Sequence, residues 1–441
     1  MATLVVNTSG DGGSNLNGGG TEGSADIGAT TGSVTGTNFA ASAGTPFSGC
    51  SVGDLIGVYT VASDTEIQCY GEISAINNSG ADVDVTAWVG GTPSSVDTAR
   101  VNGAFADPGF AAQLMGNGDY CYVKSGTYTI TTETPGAAGP VSFGSGVECT
   151  MEGYDTTPGD RCDGGSLPLL QVSGSLTPTA AMPIVDLNGS TGNRQACLYL
   201  IADGNSRVNT RGFIGGSLSN DCTVGCKAVN NAGYGLSNVI AVGCLSQDNS
   251  GRSYNECAAW YSIADGGSDV GFYGKTQAFC VAMDCATGFD DAGGDWLHCV
   301  SYSNSGDGFS CGGNNVLINC IAYDDGAFAF DTRSDTMLIN CAHYNTNSGR
   351  TDTTPAVDLG GITLTGDPFE DYTTLDFTLD PDGDEYDDLA GGGVGLYEWN
   401  PSQWGLNRHD IGAVQHADLS ATEIAEAMWS DVTSPNRTLT S

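Results

Sequence analysis

Cys299-Val-Ser-Tyr-Ser-Asn-Ser-Gly306, Cys320-Ile-Ala-Tyr-Asp-Asp-Gly326 and Cys341-Ala-His-Tyr-Asn-Thr-Asn-Ser-Gly349 repeat one pattern. Each opens on a cysteine, continues as a short strand that ends in tyrosine, and closes on a polar turn with glycine. The pattern lies upstream too, in Cys226-Lys-Ala-Val-Asn-Asn-Ala-Gly233 and Cys244-Leu-Ser-Gln-Asp-Asn-Ser-Gly251. Cys280-Val-Ala-Met-Asp matches its strand part. Successive cysteines are 18 residues apart, then 36, 19, 21 and 21. The interval of 36 holds two repeats, and the one between reads as irregular, running through Trp260-Tyr261.

A period of about twenty residues is too short for paired-helix repeats. It suits one solenoid coil of three short strands joined by turns. Alternation along a strand predicts Ile318, Cys320 and Ala322 on one side, with Asn319, Ile321 and Tyr323 on the other. Leu297, Ile318 and Ile339 would then stack as an inner row beside Cys299, Cys320 and Cys341. Asn and Asp after each strand suit left-handed turn positions. Leucine-rich repeats share this period, but their Leu-x-x-Leu-x-Leu signature is missing. The expected fold is all-β: a right-handed parallel β-helix with a small β-rich N-terminal domain and a short C-terminal helical tail.

The flanks read differently. Residues 1–97 carry strand-like runs at Leu55–Ala62, Glu66–Ile76 and Val83–Val89 and are taken as the β-rich domain. A short helix at Ala106–Met115 would cap the first coil, because an open coil end exposes strand edges and core. The β-helix is assigned to 98–375, its C-terminal cap to 376–417 and a helical tail for attachment to 418–441. Ser420-Ala-Thr-Glu423 is a capping box, followed by apolar Ile424, Met428 and Trp429, which suit burial against a partner or against the same chain.

Carboxylates outnumber Lys+Arg by 52 to 13, for a net charge of −39. Such a surface repels nucleic acid, anionic membranes and polyanionic sugars at long range. No nucleic-acid and no membrane partner is therefore expected. Met1-Ala-Thr-Leu-Val-Val6 has neither a basic segment nor a long apolar run, so no signal peptide is read. The 16 cysteines include no CxxC pair, and a chain made in a cytoplasm keeps them reduced. Synthesis in a host cytoplasm and display on a virion exterior reconcile these features.

Gly118–Tyr128, the Cys/Gly coils, Gly361–Phe369, Leu375–Leu379 and Asp410–Gln415 resemble pectate-lyase-like β-helix proteins of tailed phages and environmental bacteria. The resemblance covers roughly residues 98–416 and rests on structural motifs, so it implies fold more than function. Residues 427–440 are also similar to tails of phage virion proteins. The resemblance implies a family that includes polysaccharide-cutting spikes, inert fibres and head decorations.

Sugar cleavage on such a fold needs paired carboxylates, or calcium with a basic residue. Asp290-Asp291 resembles the Asp-Asp motif of polygalacturonases, but the Gly-His-Gly, Arg-Ile-Lys and Asn-Thr-Asp motifs are absent. Adjacent strand residues also point to opposite faces, so the pair reads as a solvated turn before it reads as a catalytic one. For lyase chemistry the lysines are only Lys124, Lys227 and Lys275, and Arg333 between Asp331 and Asp335 has the pattern of a surface ion pair. Asp380, Asp382, Asp384 and Asp387 have the carboxylate density of a calcium loop without EF-hand spacing. No cofactor is expected, calcium being the alternative. His298, His343, His409 and His416 share no metal spacing and read as surface or turn residues.

Tyr302, Tyr323 and Tyr344 each follow a ladder cysteine by three residues and should stack as an outward row. That row suits grip on a sugar, contact with another subunit, or a ladder that stabilises itself. The expected role is a non-enzymatic structural protein on the exterior of a phage virion, as head decoration or fibre component. The alternatives are a tailspike-like glycan hydrolase or lyase, and a bacterial surface carbohydrate-binding adhesin. The partners these readings involve are other virion proteins, a host surface glycan and further copies of the chain.

Overall fold

The computed structural model describes residues 2–7, 15, 19–21, 27–59, 68–89, 97–160, 166–187, 193–216, 220–291, 294–345, 349–351, 353–371, 376–379 and 389. The chain divides into two compact units, Met1–Cys222 and Thr223–Ser441.

In the first unit, Thr3–Val6 pairs parallel with Tyr120–Lys124, which pairs with Cys149–Tyr154 and that in turn with Gln195–Leu198. Thr127–Ile130, Leu169–Val172 and Ile201–Asp203 form a second parallel set, and Val141–Ser142, Met182–Leu187 and Thr210–Gly215 a third. These are solenoid coils, and the first strand of the chain belongs to them. A closed antiparallel barrel intervenes between that strand and the rest, built from Ile27–Thr35, Asn38–Ala41, Leu55–Tyr59, Cys69–Asn77, Asp82–Val85 and Asp97–Val101. Phe39, Phe47, Ile56, Val58, Ile73 and Val83 fill it. A helix, Pro108–Leu114, follows, with the Asp107 carboxylate accepting from the Phe110 amide at 3.1 Å as N-cap. Buried Asp119 accepts from the Ala2 and Gly116 amides at 2.7 Å each and from the Tyr70 hydroxyl of the barrel.

The second unit shows the repeat most plainly. Each coil runs through a first strand such as Val316–Ile318, a second such as Ile321–Tyr323 and a third such as Phe328–Asp331. Each strand pairs parallel with its counterpart one coil away: Val316 with Met337, Ile321 with Ala342, Phe309 with Phe330. Parallel strands joined by crossovers in one sheet take the right-handed path, and the fold is a right-handed parallel β-helix.

In the second unit a residue with left-handed backbone stands between the first and second strand of successive coils: Tyr261, Phe279, His298, Asn319 and Asn340 have φ of 49 to 55°. A second such column follows the second strand, at Asn230, Asp248, Asp284, Ser303, Asp324 and Asn345. The first column corrects the expected inner row. The left-handed turn interrupts strand alternation, so Leu317 rather than Ile318 shares the inner side with Cys320. Trp296, Leu317 and Leu338 are in register and fully buried, whereas Leu297, Ile318 and Ile339 lie half-buried on the outer side. His298, expected at a surface or turn, is a turn residue with no exposed surface; it stacks on Phe279 at 4.9 Å and meets Asn319 Nδ2 at 3.0 Å. The coil that read as irregular is regular. Leu245, Ile263 and Val281 are in register, so Ser262 occupies the cysteine position, and its hydroxyl accepts from the Cys244 amide at 3.2 Å.

The bulk of this core is an aromatic column that the cysteine pattern did not reveal. Tyr254, Phe272, Phe289, Phe309 and Phe330, one per coil on the third strands, are fully buried. Successive rings stack with centroids 4.4, 5.0, 4.7 and 5.4 Å apart. Beside it Cys244, Cys280, Cys299, Cys320 and Cys341 are buried free thiols. Their thiols donate to backbone carbonyls, as Cys320 does to Trp296 O at 3.3 Å, and burial pushes the Cys299, Cys320 and Cys341 thiols well up. Coils about 4.8 Å apart hold parallel Cβ vectors too far apart for an unstrained disulfide.

Two outcomes are expected. Chain denatured without reductant should release Cys299, Cys320 and Cys341 as reactive thiols in a colorimetric count, and finding them bridged would contradict this stacking. Phe309→Ala, which opens the middle of the aromatic column, should cost about 3–5 kcal/mol in denaturant unfolding.

Candidate functional site

The outer face of the third strands in the second unit carries a line of polar residues. Register places Asn255, Tyr273, Asp290, Ser310 and Asp331 in one line, one residue per coil. Their inward neighbours are the aromatic column, so the rigid core fixes this line's spacing. The guanidinium of Arg252 lies 3.4 Å from the Tyr273 ring centroid, and its Nη1 donates to Asn255 Oδ1 at 2.9 Å. This cation–π contact holds Arg252 near Asp290. Burial pushes the Asp290 carboxyl up, while the Ser310 hydroxyl and the Arg252 charge pull it back.

Asp290 and Asp291 are consecutive in the strand Thr287–Asp291. They leave opposite sides of it: Asp290 is in register with Tyr273 and Ser310, Asp291 with the buried Cys311. Both are half-buried within a strand, not in a solvated turn. The structure therefore does not bring the two carboxyls together. It aligns Asp290 instead with Asp331, two coils on. Sequence spacing hinted at this, since Phe289-Asp290 and Phe330-Asp331 share one motif.

The tyrosine row forms as the spacing predicted. Tyr302 and Tyr323 stack at 5.2 Å, and Tyr323 and Tyr344 at 4.8 Å. The row points outward from the second strands, but a later part of the chain covers it. Phe369 and Phe377, on the paired strands Phe369–Asp371 and Asp376–Leu379, meet Tyr302 edge-on at 6.1 and 5.7 Å. Leu364, Phe369, Phe377 and Leu389 join Val281, Val300, Ile321, Tyr302 and Tyr323 in one apolar cluster. Tyr302 and Tyr323 keep 6 and 9% of their surface exposed, so this stretch of the row works as packing.

Asp380, Asp382, Asp384, Asp387, Ile424, Met428 and Trp429 lie outside the described residues. Among the described residues no group of three or more His, Cys, Asp or Glu could hold a metal ion. No helix among them is long and apolar enough to cross a membrane.

No protein-family model and no curated protein matches the chain. Solved structures do. Geobacillus virus E2 ORF18 aligns at 14% identity with a TM-score of 0.40, over 58% of this chain and 56% of that one. The chain thus spans little more than half the length of that protein. Pectate lyase Pel9A aligns at 14% identity and TM-score 0.48, over 72% of this chain and 92% of that one. Tailspike protein gp49 from Pseudomonas phage LKA1 aligns at 12% identity and TM-score 0.19, over 83% and 67%. The assignment to the parallel β-helix rests on the chain's own strand registers.

Tyr323→Ala removes the ring at the centre of the covered row. It should destabilise by about 3 kcal/mol and make the chain at Leu364, Phe369 and Phe377 an early site of limited proteolysis. Unchanged protease resistance there would show that the cover is held elsewhere.

Proposed function

We propose that the chain is a non-enzymatic structural protein on the exterior of a phage virion, a head decoration or fibre component. The observation that carries this reading is the strand register of Asp290 and Asp291. Two carboxyls diverging from consecutive strand residues do not flank one glycosidic bond, as the acid and base of a hydrolase must. The net charge of −39 supports an outward position, away from packaged DNA. Stacked ladders also suit a part whose work is to persist outside a cell. In this reading residues 418–441 attach the body to other virion proteins through Ile424, Met428 and Trp429. On a multivalent particle, modest affinity per copy suffices. The reading needs neither a cofactor nor calcium.

One observation favours a second reading, a tailspike-like glycan hydrolase. Asp290, Ser310 and Asp331 follow in register on one face. Two coil spacings put the carboxyls about 9–10 Å apart, close to the separation that lets an inverting hydrolase lodge a water.

One experiment separates the two. Full-length protein is incubated with capsular and lipopolysaccharide glycans of candidate hosts, and reducing ends are counted. The expected result is no release above background. Steady release that is lost in both Asp290→Asn and Asp331→Asn would replace the structural reading with the hydrolase.

A further inference from the structure

A buried polar ladder runs behind the second left-handed column. Asn249 Oδ1 accepts from the Asn231 amide and from Asn231 Nδ2, both at 2.9 Å. Its own Nδ2 donates to Ala228 O at 3.1 Å and to the Ser246 hydroxyl at 2.9 Å. Asn304 repeats this. Its Oδ1 accepts from the Cys285 amide at 2.9 Å, and its Nδ2 donates to Ala282 O at 3.1 Å and to the Ser301 hydroxyl at 2.8 Å. The rule has two parts. The side-chain oxygen faces the previous coil's amide. The nitrogen faces a serine three residues back and the carbonyl of the residue paired with that serine, since Ser246 pairs with Ala228 and Ser301 with Ala282.

One coil later the position is Asp325. Its Oδ1 does what the asparagine oxygens do, accepting from Asn304 N at 3.1 Å, Asn304 Nδ2 at 3.0 Å and the Ser301 hydroxyl at 3.0 Å. Oδ2 stands where the ladder nitrogen stands. Three residues back is Ala322, with no hydroxyl, and Ala322 pairs with Ser301. The rule therefore aims Oδ2 at the Ser301 carbonyl, one acceptor facing another. Oδ2 is buried without a hydrogen-bond partner, and the residue keeps 1% of its surface exposed. It fits because residue 308 is glycine; a Cβ there would lie 2.5 Å from Oδ2.

We propose that Asp325 is held in the folded coil as a neutral carboxylic acid whose Oδ2–H donates where the ladder asparagines donate through Nδ2, making the coil from Cys320 to Asn345 pH-sensitive. An ionised Asp325 would set two acceptors against each other at a buried position. Burial pushes this carboxyl up to about 7, above the usual carboxylate range, although the bonds from Asn304 and Ser301 favour the charged form. The charged group acting on it is its chain neighbour Asp324, which also disfavours ionisation. Ser301, Asn304 and Gly308, packed against it, are uncharged.

The folded-state value lies above the unfolded one, so the unfolded chain loses this proton first. The stabilisation is complete below about pH 4. It declines as pH rises, roughly tenfold in the folding equilibrium per unit, and levels off above about pH 7. The inference is independent of the functional readings above.

Asp325→Asn restores the ladder nitrogen. The test compares full-length wild type and D325N in thermal melts from pH 5 to 9. The variant should have the higher Tm at pH 8, and its advantage should grow from pH 5 to 7 and then stop growing. A constant gap, or a D325N less stable at pH 8, would overturn the proposal. Infrared difference spectra give a second measure that does not depend on the variant's stability. Folded wild type at pH 6 should show a protonated-carboxyl C=O stretch that titrates away above neutral pH and is missing in D325N. An identical band in D325N would equally overturn it.

Discussion

One left-handed residue between the first and second strand of each coil decides which side chains form the core. Without it, alternation would continue from Leu317 through Asn319 and turn Cys320 outward. With it, Leu317 and Cys320 both face inward, and Asn319 occupies the corner at φ 55°. The cost is borne in different ways. Asparagine and glycine tolerate the region readily. Tyr261, Phe279 and His298 do not, yet they occupy the same corner with φ of 51 to 55°. Ring stacking at 4.8 and 4.9 Å compensates, so the corner column supports itself from coil to coil.

Once the corner is set, every position becomes a column with its own chemistry. The third strands contribute the aromatic stack, the step after the first corner contributes thiols or Ser262, and the step after the second contributes the asparagine ladder. Columns constrain one another. Gly235, Gly288 and Gly308 lack side chains where Ser246, Ser301 and Asp325 reach across, and a Cβ would lie 2.1 to 2.5 Å from those atoms. A substitution in such a solenoid is thus felt by the coils on both sides, and by the column across the core.

The outer faces divide the work. On the second strands the tyrosine row is used for packing, because the chain returns over it with Phe369 and Phe377. On the third strands the polar line from Asn255 to Asp331 runs outside the aromatic column, one residue per coil. The two aspartates in that line belong to different coils. Coil stacking, and not local sequence, sets their separation.

The sequence determined the repeat, its period, the thiol column and the tyrosine stack, because one residue type recurring at 18 to 21 positions survives without any knowledge of neighbours. Its strand-like runs at Leu55–Ala62 and Glu66–Ile76, where apolar residues are dense, overlap the strands Leu55–Tyr59 and Cys69–Asn77. Ile27–Thr35 is not legible as a strand, since a Thr- and Gly-rich strand of a closed barrel shows little alternation. The tertiary structure alone decided the inner row, because a single backbone dihedral reverses the facing of every residue after it. It alone separated Asp290 from Asp291 and aligned Asp290 with Asp331, and it alone placed a buried carboxyl in the ladder at Asp325. Each of these depends on which residue lies one coil away, and neighbours across a coil are set by register, a property of the stacked chain rather than of any segment in it.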